Sequence, residues 1–246
     1  MKTNHTGAFV LFFLLSSTLA LSQVDDIKQR SSSHSSGGSR GESGGSSSSS
    51  SSSFFVFDFM FNGLAQWQSL KLEKREDVPN MVSLELMLQA AIQPSNYYIV
   101  NPRIRANWGL ISTDFRFNYL LEEDIDGIKY LRTNDWQILQ MNLVTTRNVG
   151  FRIGGGVMQE AFSGDKGFGE WTAALTLQDS DLRFGGMVEY RGAEVRKEWN
   201  AHFQYRIIEH RHLHGFVTLG VVYQRYYDVI NVWGMQSGFV FKLHRP

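Results

Sequence analysis

Apolar and polar residues alternate one by one through ten segments in the second part of the chain. In the third segment Phe115 and Phe117 share one face, whereas Asp114 and Arg116 share the other. Successive side chains of a strand point to opposite sides, so this period of two predicts strands with two different environments. The ten segments are 81–93, 96–108, 111–122, 136–147, 149–162, 168–178, 182–192, 197–210, 213–227 and 230–243.

The alternation fits two barrels of opposite polarity. A soluble lipocalin-like barrel points its apolar face inward, whereas a membrane barrel turns that face to lipid and lines its lumen with polar groups. Every segment is longer than the average soluble strand of about five or six residues and reaches the roughly 9–11 residues of a tilted membrane strand. We predict an all-β protein, a closed antiparallel up-and-down transmembrane β-barrel of about ten strands. A soluble periplasmic barrel that binds an apolar ligand is the alternative.

Links between the segments differ in length on the two sides. Four are tight, as periplasmic turns are, and they fall at 109–110, 147–148, 179–181 and 211–212. The longest link, 123–135, and the link at 163–167 fall on the other side and are expected to be outer loops.

Aromatic residues on the apolar face gather toward the segment ends. Trp and Tyr favour the lipid–water boundary because their rings are apolar and their tips polar. A soluble barrel gives no reason for two such belts. The expected outer belt is Tyr98, Tyr119, Trp171, Tyr190, Trp199, Tyr223 and Trp233, and the inner one is Trp108, Phe151, Phe184, Phe239 and Phe241.

The polar face carries charges whose signs separate along the segments. Expected near the inner end are Arg103, Arg105, Arg116, Arg152, Arg183, Arg206 and Lys242, and near the outer end Glu122, Glu160, Glu170 and Glu189. Two interpretations stay open. The charges form an ion-pair network that fixes strand register, or the basic residues ring a narrow, anion-preferring conduit.

Two positions depart from the pattern. Pro102 lies within the second segment, where it removes a ladder donor, and a bulge there would accommodate it. In the fourth segment Trp136 and Ile138 fall on the lumen side by parity.

The N-terminal part divides into three regions. Residues 1–22 have the features of a secretory signal peptide, with a cleavage site at Ala20-Leu21-Ser22; an uncleaved anchor is the alternative. Residues 23–53 form a Ser/Gly-rich segment that we predict to be a disordered linker. Residues 54–80 are aromatic and predict an amphipathic helix, or else an extra strand or cap. The barrel domain is assigned to 81–246.

Composition excludes several functions. The formal net charge is zero, which gives no basis for nucleic-acid binding. The chain has no cysteine, so disulfides, thiolate metal sites and a lipidated cysteine are excluded.

Motifs of catalysis are weak. His210, His212 and His214 have the spacing of a metal site in an extended strand, but they fall at a predicted turn. The acidic run 122–127 lacks EF-hand spacing, and the glycines at 154–156 precede no helix. We therefore predict no metal, cofactor or catalytic residue, and a non-enzymatic protein. An outer-membrane hydrolase is the second alternative.

The segment 233–243, with Trp233, Met235, Phe239, Phe241 and Leu243, resembles the C-terminal insertion strand of small Gram-negative outer-membrane β-barrel proteins. That resemblance implies location in the bacterial outer membrane, contact with its lipid and delivery by the barrel assembly machinery. The final His-Arg-Pro departs from the family pattern, which ends on an aromatic residue.

Overall fold

The structure, a computed structural model, describes residues 23–34, 66–70, 73, 81–93, 97–124, 127–161 and 166–244. Among these residues, helix α1 (Gln23–His34) and a short helical piece at 66–70 precede ten strands. The strands are β1 (Val82–Gln93), β2 (Tyr97–Trp108), β3 (Ile111–Asp124), β4 (Gly127–Thr145), β5 (Val149–Glu160), β6 (Lys166–Gln178), β7 (Phe184–Ala193), β8 (Arg196–His210), β9 (Leu213–Tyr226) and β10 (Ile230–His244). No helix in the described part of the chain is long and apolar enough to cross a bilayer.

The ten strands form one closed barrel in which each strand is antiparallel to its sequence neighbours. Strand β1 closes the ring by pairing with β10, from Ser83 opposite His244 to Ile92 opposite Met235. Closure leaves no sheet edge unpaired. The predicted up-and-down antiparallel barrel of ten strands is confirmed.

The barrel is apolar outside and polar inside. On β1, Leu84, Leu86 and Leu88 are more than 40% exposed, whereas Glu85 and Gln89 are 5% exposed. On β3, Arg116 is buried at 1% and the neighbouring Phe115 and Phe117 are only half-buried. The polarity is thus the inverse of a soluble barrel, and every inward polar group must find a partner inside.

The predicted outer loop 123–135 is wrong, because β3 and β4 continue as a ladder to Asp124 opposite Gly127. The expected inward orientation of Trp136 and Ile138 is also wrong, since both are more than half exposed. A register shift between Trp136 and Leu139 adds one residue to β4 and so reverses the parity of the strand at that point. A single missed bulge explains the incorrect orientation.

Pro102 needs no bulge. Its pairing with Leu88 on β1 continues the β1–β2 register without a shift. Toward β3 the ladder is interrupted at Asn101 and Pro102, and the same register resumes at Arg103. The ladder between β2 and β3 is therefore open where Pro102 has no N–H to donate.

Helix α1 fills one mouth of the barrel. Val24 and Ile27 are fully buried and Ser31 is 2% exposed, so the spacing i, i+3, i+7 presents one face to the interior. The strands meet this face with inward apolar side chains. The cluster around α1 contains Ala91, Tyr97, Ile99, Leu120, Leu131, Val222, Tyr226, Ile230 and Val232.

The position of α1 corrects the linker prediction over 23–34, where a helix stands in place of a disordered tether. Because the segment is rich in serine, the helical spacing of Val24, Ile27 and Ser31 was not recognised. The helix lies at the mouth opposite to the tight turns. We call these two mouths the helix end and the turn end.

Several predicted regions lie outside the described residues: the signal peptide 1–22, the linker over 35–53 and most of the aromatic segment 54–80. Within that last segment residues 66–70 are helical. There Gln68 Nε2 donates to the carbonyl of Trp108, and Gln68 Oε1 accepts from the amide of Leu110. This short helical piece is therefore fixed to the turn between β2 and β3.

Candidate functional site: the charged barrel interior

Two arginines cross the lumen to the opposite wall. Arg103 on β2 donates through Nη2 to Glu189 Oε1 on β7 at 2.7 Å. Arg116 on β3 donates through Nη2 to Glu198 Oε2 on β8 at 3.0 Å. In a ring of ten strands, β2 and β7 stand five positions apart, as do β3 and β8. These pairs therefore span the barrel diameter and fill its centre.

Two aspartates hold these arginines from the side. Asp114 accepts from Arg103 and Arg105 and lies 3.3 Å from Arg191 Nη2. Because one carboxylate serves three guanidinium groups, the cluster depends heavily on Asp114.

Asp135 on β4 likewise accepts hydrogen bonds from more than one arginine. It accepts from Arg116 Nε at 2.8 Å and from Arg196 Nη2 at 2.6 Å. Arg196 also donates to Glu170 Oε1 at 3.0 Å. The two clusters are joined by Arg191, whose guanidinium lies within 4 Å of both aspartates.

The two signs are interleaved at the centre of the lumen, whereas Arg152 and Lys242 lie at the turn end and Glu122 and Glu160 lie at the helix end. The buried basic residues among those described are Arg103, Arg105, Arg116, Arg152, Arg191, Arg196 and Lys242. The buried acidic ones are Glu85, Asp114, Glu122, Asp135, Glu160, Glu170, Glu189 and Glu198. With the signs so nearly balanced, most of the interior has little net field for an ion to follow.

Two predicted lumen residues stand elsewhere. Arg183 is exposed, because β7 begins only at Phe184 and the arginine belongs to the preceding turn. Arg206 is mostly covered but pairs at 2.9 Å with the exposed Glu209 on its own strand, beside a register shift. Neither joins the central clusters.

Glutamates at the helix end bind α1. Glu122, 4% exposed, accepts from the amides of Gln23 and Val24 at 3.1 and 2.9 Å, and thus caps the helix N-terminus. Glu160 accepts from Ser31 Oγ at 2.7 Å. It also accepts from the hydroxyl of Tyr227, in the β9–β10 turn, and burial raises the pKa of that hydroxyl.

The turn end holds a pocket of about 700 Å³, counting its open mouth. Arg152, Lys242 and Arg105 line it with Glu85, the one acidic residue among the described lining residues. Arg105 is neutralised by Glu85 at 3.2 Å and by Asp114. This end is therefore basic, unlike the balanced centre.

The predicted belt residues lie on the outside of the barrel. Trp171 and Trp199 are more than half exposed, and both pack on Tyr190 at 4.7 Å between ring centroids. Tyr98, Tyr223 and Trp233 are also exposed, and Tyr119 and Tyr190 are half-buried among neighbouring side chains. At the turn end, Trp108 is 66% exposed and Phe184 47%.

The histidine motif does not converge on one point. The exposed His212 lies in the turn that separates the exposed His210 from His214, which is buried and packs against His244 with ring centroids 4.8 Å apart. No group of three or more metal-ligating side chains occurs among the described residues. The acidic run is divided as well, with Glu122 turned inward and Glu123 exposed.

Sequence reasoning missed several members of the clusters. Asp114 and Glu198 share the parity of predicted inward residues, so alternation alone contained that signal. Asp135 was assigned to a loop and Arg196 to a link between strands. Asp135 and Arg196 point inward because β4 and β8 begin earlier than predicted. The added residues are mostly polar and gave no strand signal.

Comparisons with known proteins leave the family open. No protein-family profile matches the chain, and no curated protein matches it. A structural comparison finds the crystal structure of the N-terminal β-barrel domain of Pseudomonas aeruginosa OprF, at 11% identity and a TM-score of 0.33. The match covers 66% of this chain and 98% of that one. So low a score carries no argument, and the barrel assignment rests on the strand order.

Proposed function

We propose that this chain is a non-enzymatic outer-membrane β-barrel protein of the structural type, with a closed lumen. The observation that carries the proposal is the inverted polarity: arginine–carboxylate clusters fill the centre, and leucine, tryptophan and phenylalanine side chains cover the outside. Delivery by a cleaved signal peptide and insertion by the barrel assembly machinery are parts of the same proposal.

The outer surface favours lipid as its surroundings. Leu84, Leu86 and Leu88 stand in one exposed row, and Val217, Leu219 and Val221 form another. Soluble monomers rarely expose contiguous apolar patches larger than a few hundred Å². In a bilayer this apolar surface contacts lipid, and closure of the ring leaves no open sheet edge in the hydrocarbon.

The interior favours a structural role over a conduit. The two pairs that cross the diameter, Arg103–Glu189 and Arg116–Glu198, leave no continuous passage at that level. Helix α1 occupies the mouth beyond them. An ion would have to separate buried, hydrogen-bonded pairs, whose separation is costly in a medium of low dielectric constant.

A non-enzymatic role agrees with how the buried polar groups are used. Asp114 and Glu189 are both bound by arginines, and the buried His202 lies by Asn200 and Gln89. The hydrolase alternative has no observation in its favour.

Membrane fractionation and gel mobility test the location. We expect the protein to remain with outer membranes after carbonate washing and to migrate differently on gels before and after boiling, because a closed barrel resists detergent until heated. Recovery in the aqueous fraction without detergent, with unchanged mobility on boiling, would contradict the proposal and favour the soluble barrel.

Planar-bilayer recording separates the structural role from the second candidate, a narrow conduit. We expect the purified full chain to give no steady conductance. The double variant Arg103→Gln/Arg116→Gln, which shortens both side chains across the diameter, is the comparison. Steady anion-selective channels from the unmodified chain would overturn the closed-lumen proposal and support the conduit.

A further inference from the structure

We propose that the pocket at the turn end is a binding site for a small oxyanion, held by Arg152 and Lys242. The inference goes beyond the proposed structural role, and it does not depend on whether the barrel conducts. Three features of this pocket support the inference. Its positive charge is not balanced, it holds buried hydrogen-bond donors that have no partner among the described residues, and it opens to the outside.

Arg152 has no carboxylate partner in the part of the chain that the structure describes. It is 9% exposed, and no described acidic side chain lies within 4 Å of its guanidinium. Its guanidinium donates through Nη2 to the sulfur of Met187 at 3.1 Å, and its buried Nε has no hydrogen-bond partner among the described residues. Every other buried arginine among those described has a carboxylate within 4 Å. Burying a cation without a counter-charge costs free energy. An anion bound beside Arg152 would remove that cost.

Lys242 adds a second, weakly compensated charge beside it. Its ammonium lies 3.9 Å from Glu85, beyond hydrogen-bond distance, and 5.2 Å from the centre of the Phe216 ring. Glu85 already accepts from Arg105 at 3.2 Å. One carboxylate is thus shared by two cations, and Lys242 retains donors for a ligand.

The pocket also offers a neutral donor. Gln204 lines the pocket, and its buried Nε2 has no hydrogen-bond partner within the described ranges. A guanidinium, an ammonium and an amide N–H together suit an acceptor-only group with several oxygens. The planar guanidinium fork matches phosphate or carboxylate with two parallel hydrogen bonds.

Calorimetric titration of the folded full chain in detergent tests the site. The probes are inorganic phosphate, sulfate and acetate, each at constant ionic strength, with chloride as the reference ion. We expect saturable binding of at least one oxyanion. Phosphate and sulfate above acetate would identify a tetrahedral ligand, and the reverse order a carboxylate.

Arg152→Gln should weaken that binding about tenfold or more, because it removes a charge-assisted contact. Arg183→Gln is the matched control: it removes the same charge from an exposed position at the turn end and should leave affinity unchanged. Each variant is first checked for heat-modifiable mobility. If Arg152→Gln does not fold, Lys242→Gln is expected to give the same loss.

The site is refuted if the unmodified chain binds none of the three anions. It is equally refuted if Arg152→Gln, or Lys242→Gln in its place, binds as tightly as the unmodified chain. A similar loss in Arg183→Gln would indicate general attraction to a basic rim and would also overturn the proposal.

Discussion

At the scale of single residues, the interior is organised around a few carboxylates that serve several arginines each. Asp114 contacts Arg103, Arg105 and Arg191, and its oxygens have almost no contact with solvent. A pair of this kind stabilises little relative to an apolar core, but the loss of one partner leaves the others charged and buried. The consequence of a substitution therefore depends on how many groups it leaves without a partner.

Asp114→Asn should lower the free energy of unfolding by about 3–5 kcal/mol, because three buried guanidinium groups lose their shared counter-charge. Urea unfolding of the barrel in detergent, followed by tryptophan fluorescence, measures the change. The control is Glu209→Gln, which removes a carboxylate that is 63% exposed and forms an ion pair with Arg206; its effect should stay within about 1 kcal/mol. Equal midpoints for the two variants would mean that the cluster is not a stabilising unit.

At the scale of elements, β4 and β5 show how irregularities keep the faces consistent. Strand β4 shifts register against β5 between Trp136 and Leu139. At this place the backbones come so close that a Cβ on Gly156 would lie 2.0 Å from the carbonyl oxygen of Trp136. Gly154 and Gly156 are thus explained by the close approach of the β4 backbone.

Gly156→Ala should destabilise the barrel by about 1–3 kcal/mol, since the backbone of β4 has to move to admit the methyl group. Gly169→Ala in β6 is the matched control, because a Cβ there meets nothing within 4 Å. The measurement is the temperature at which each variant loses its compact gel mobility. A loss as large in Gly169→Ala would point to backbone flexibility as the cause, and not to the close contact.

At the scale of the whole molecule, closure and polarity act together. The ring of ten strands encloses a polar interior that is stable only when its charges find partners across and around the lumen. The same ring exposes an apolar belt that is stable only in lipid. The interior charges pair only when the ring closes, and the closed ring exposes an apolar surface that requires lipid. Folding and insertion are therefore expected to be a single process.

Tryptophan fluorescence in vesicles with brominated acyl chains should be strongly quenched, because Trp108, Trp136, Trp171, Trp199 and Trp233 all lie on the outer surface. Iodide added to the water should quench them weakly. The absence of cysteine permits a second measurement, in which single cysteines at Phe115 and Ser112 are labelled with a polarity-sensitive dye. An apolar signal from Ser112 and an aqueous one from Phe115 would contradict the orientation.

The sequence by itself determined the class of fold, the strand number and the polarity of most positions. An alternating pattern fixes which side chains share a face, and Phe115 and Arg116 were assigned correctly by parity alone. Parity fails where a bulge adds a residue, as at Trp136, or where a strand extends through polar residues, as at Asp135.

Only the tertiary structure decided which wall each charge reaches and what closes each mouth. Arg103 and Glu189 are 86 residues apart, and they meet because closure of the ring sets β2 opposite β7. Helix α1 was hidden because two apolar residues, Val24 and Ile27, are a weak helical signal until a matching apolar mouth surrounds them. Local patterns encode faces, whereas partners across a lumen depend on the global closure of the sheet.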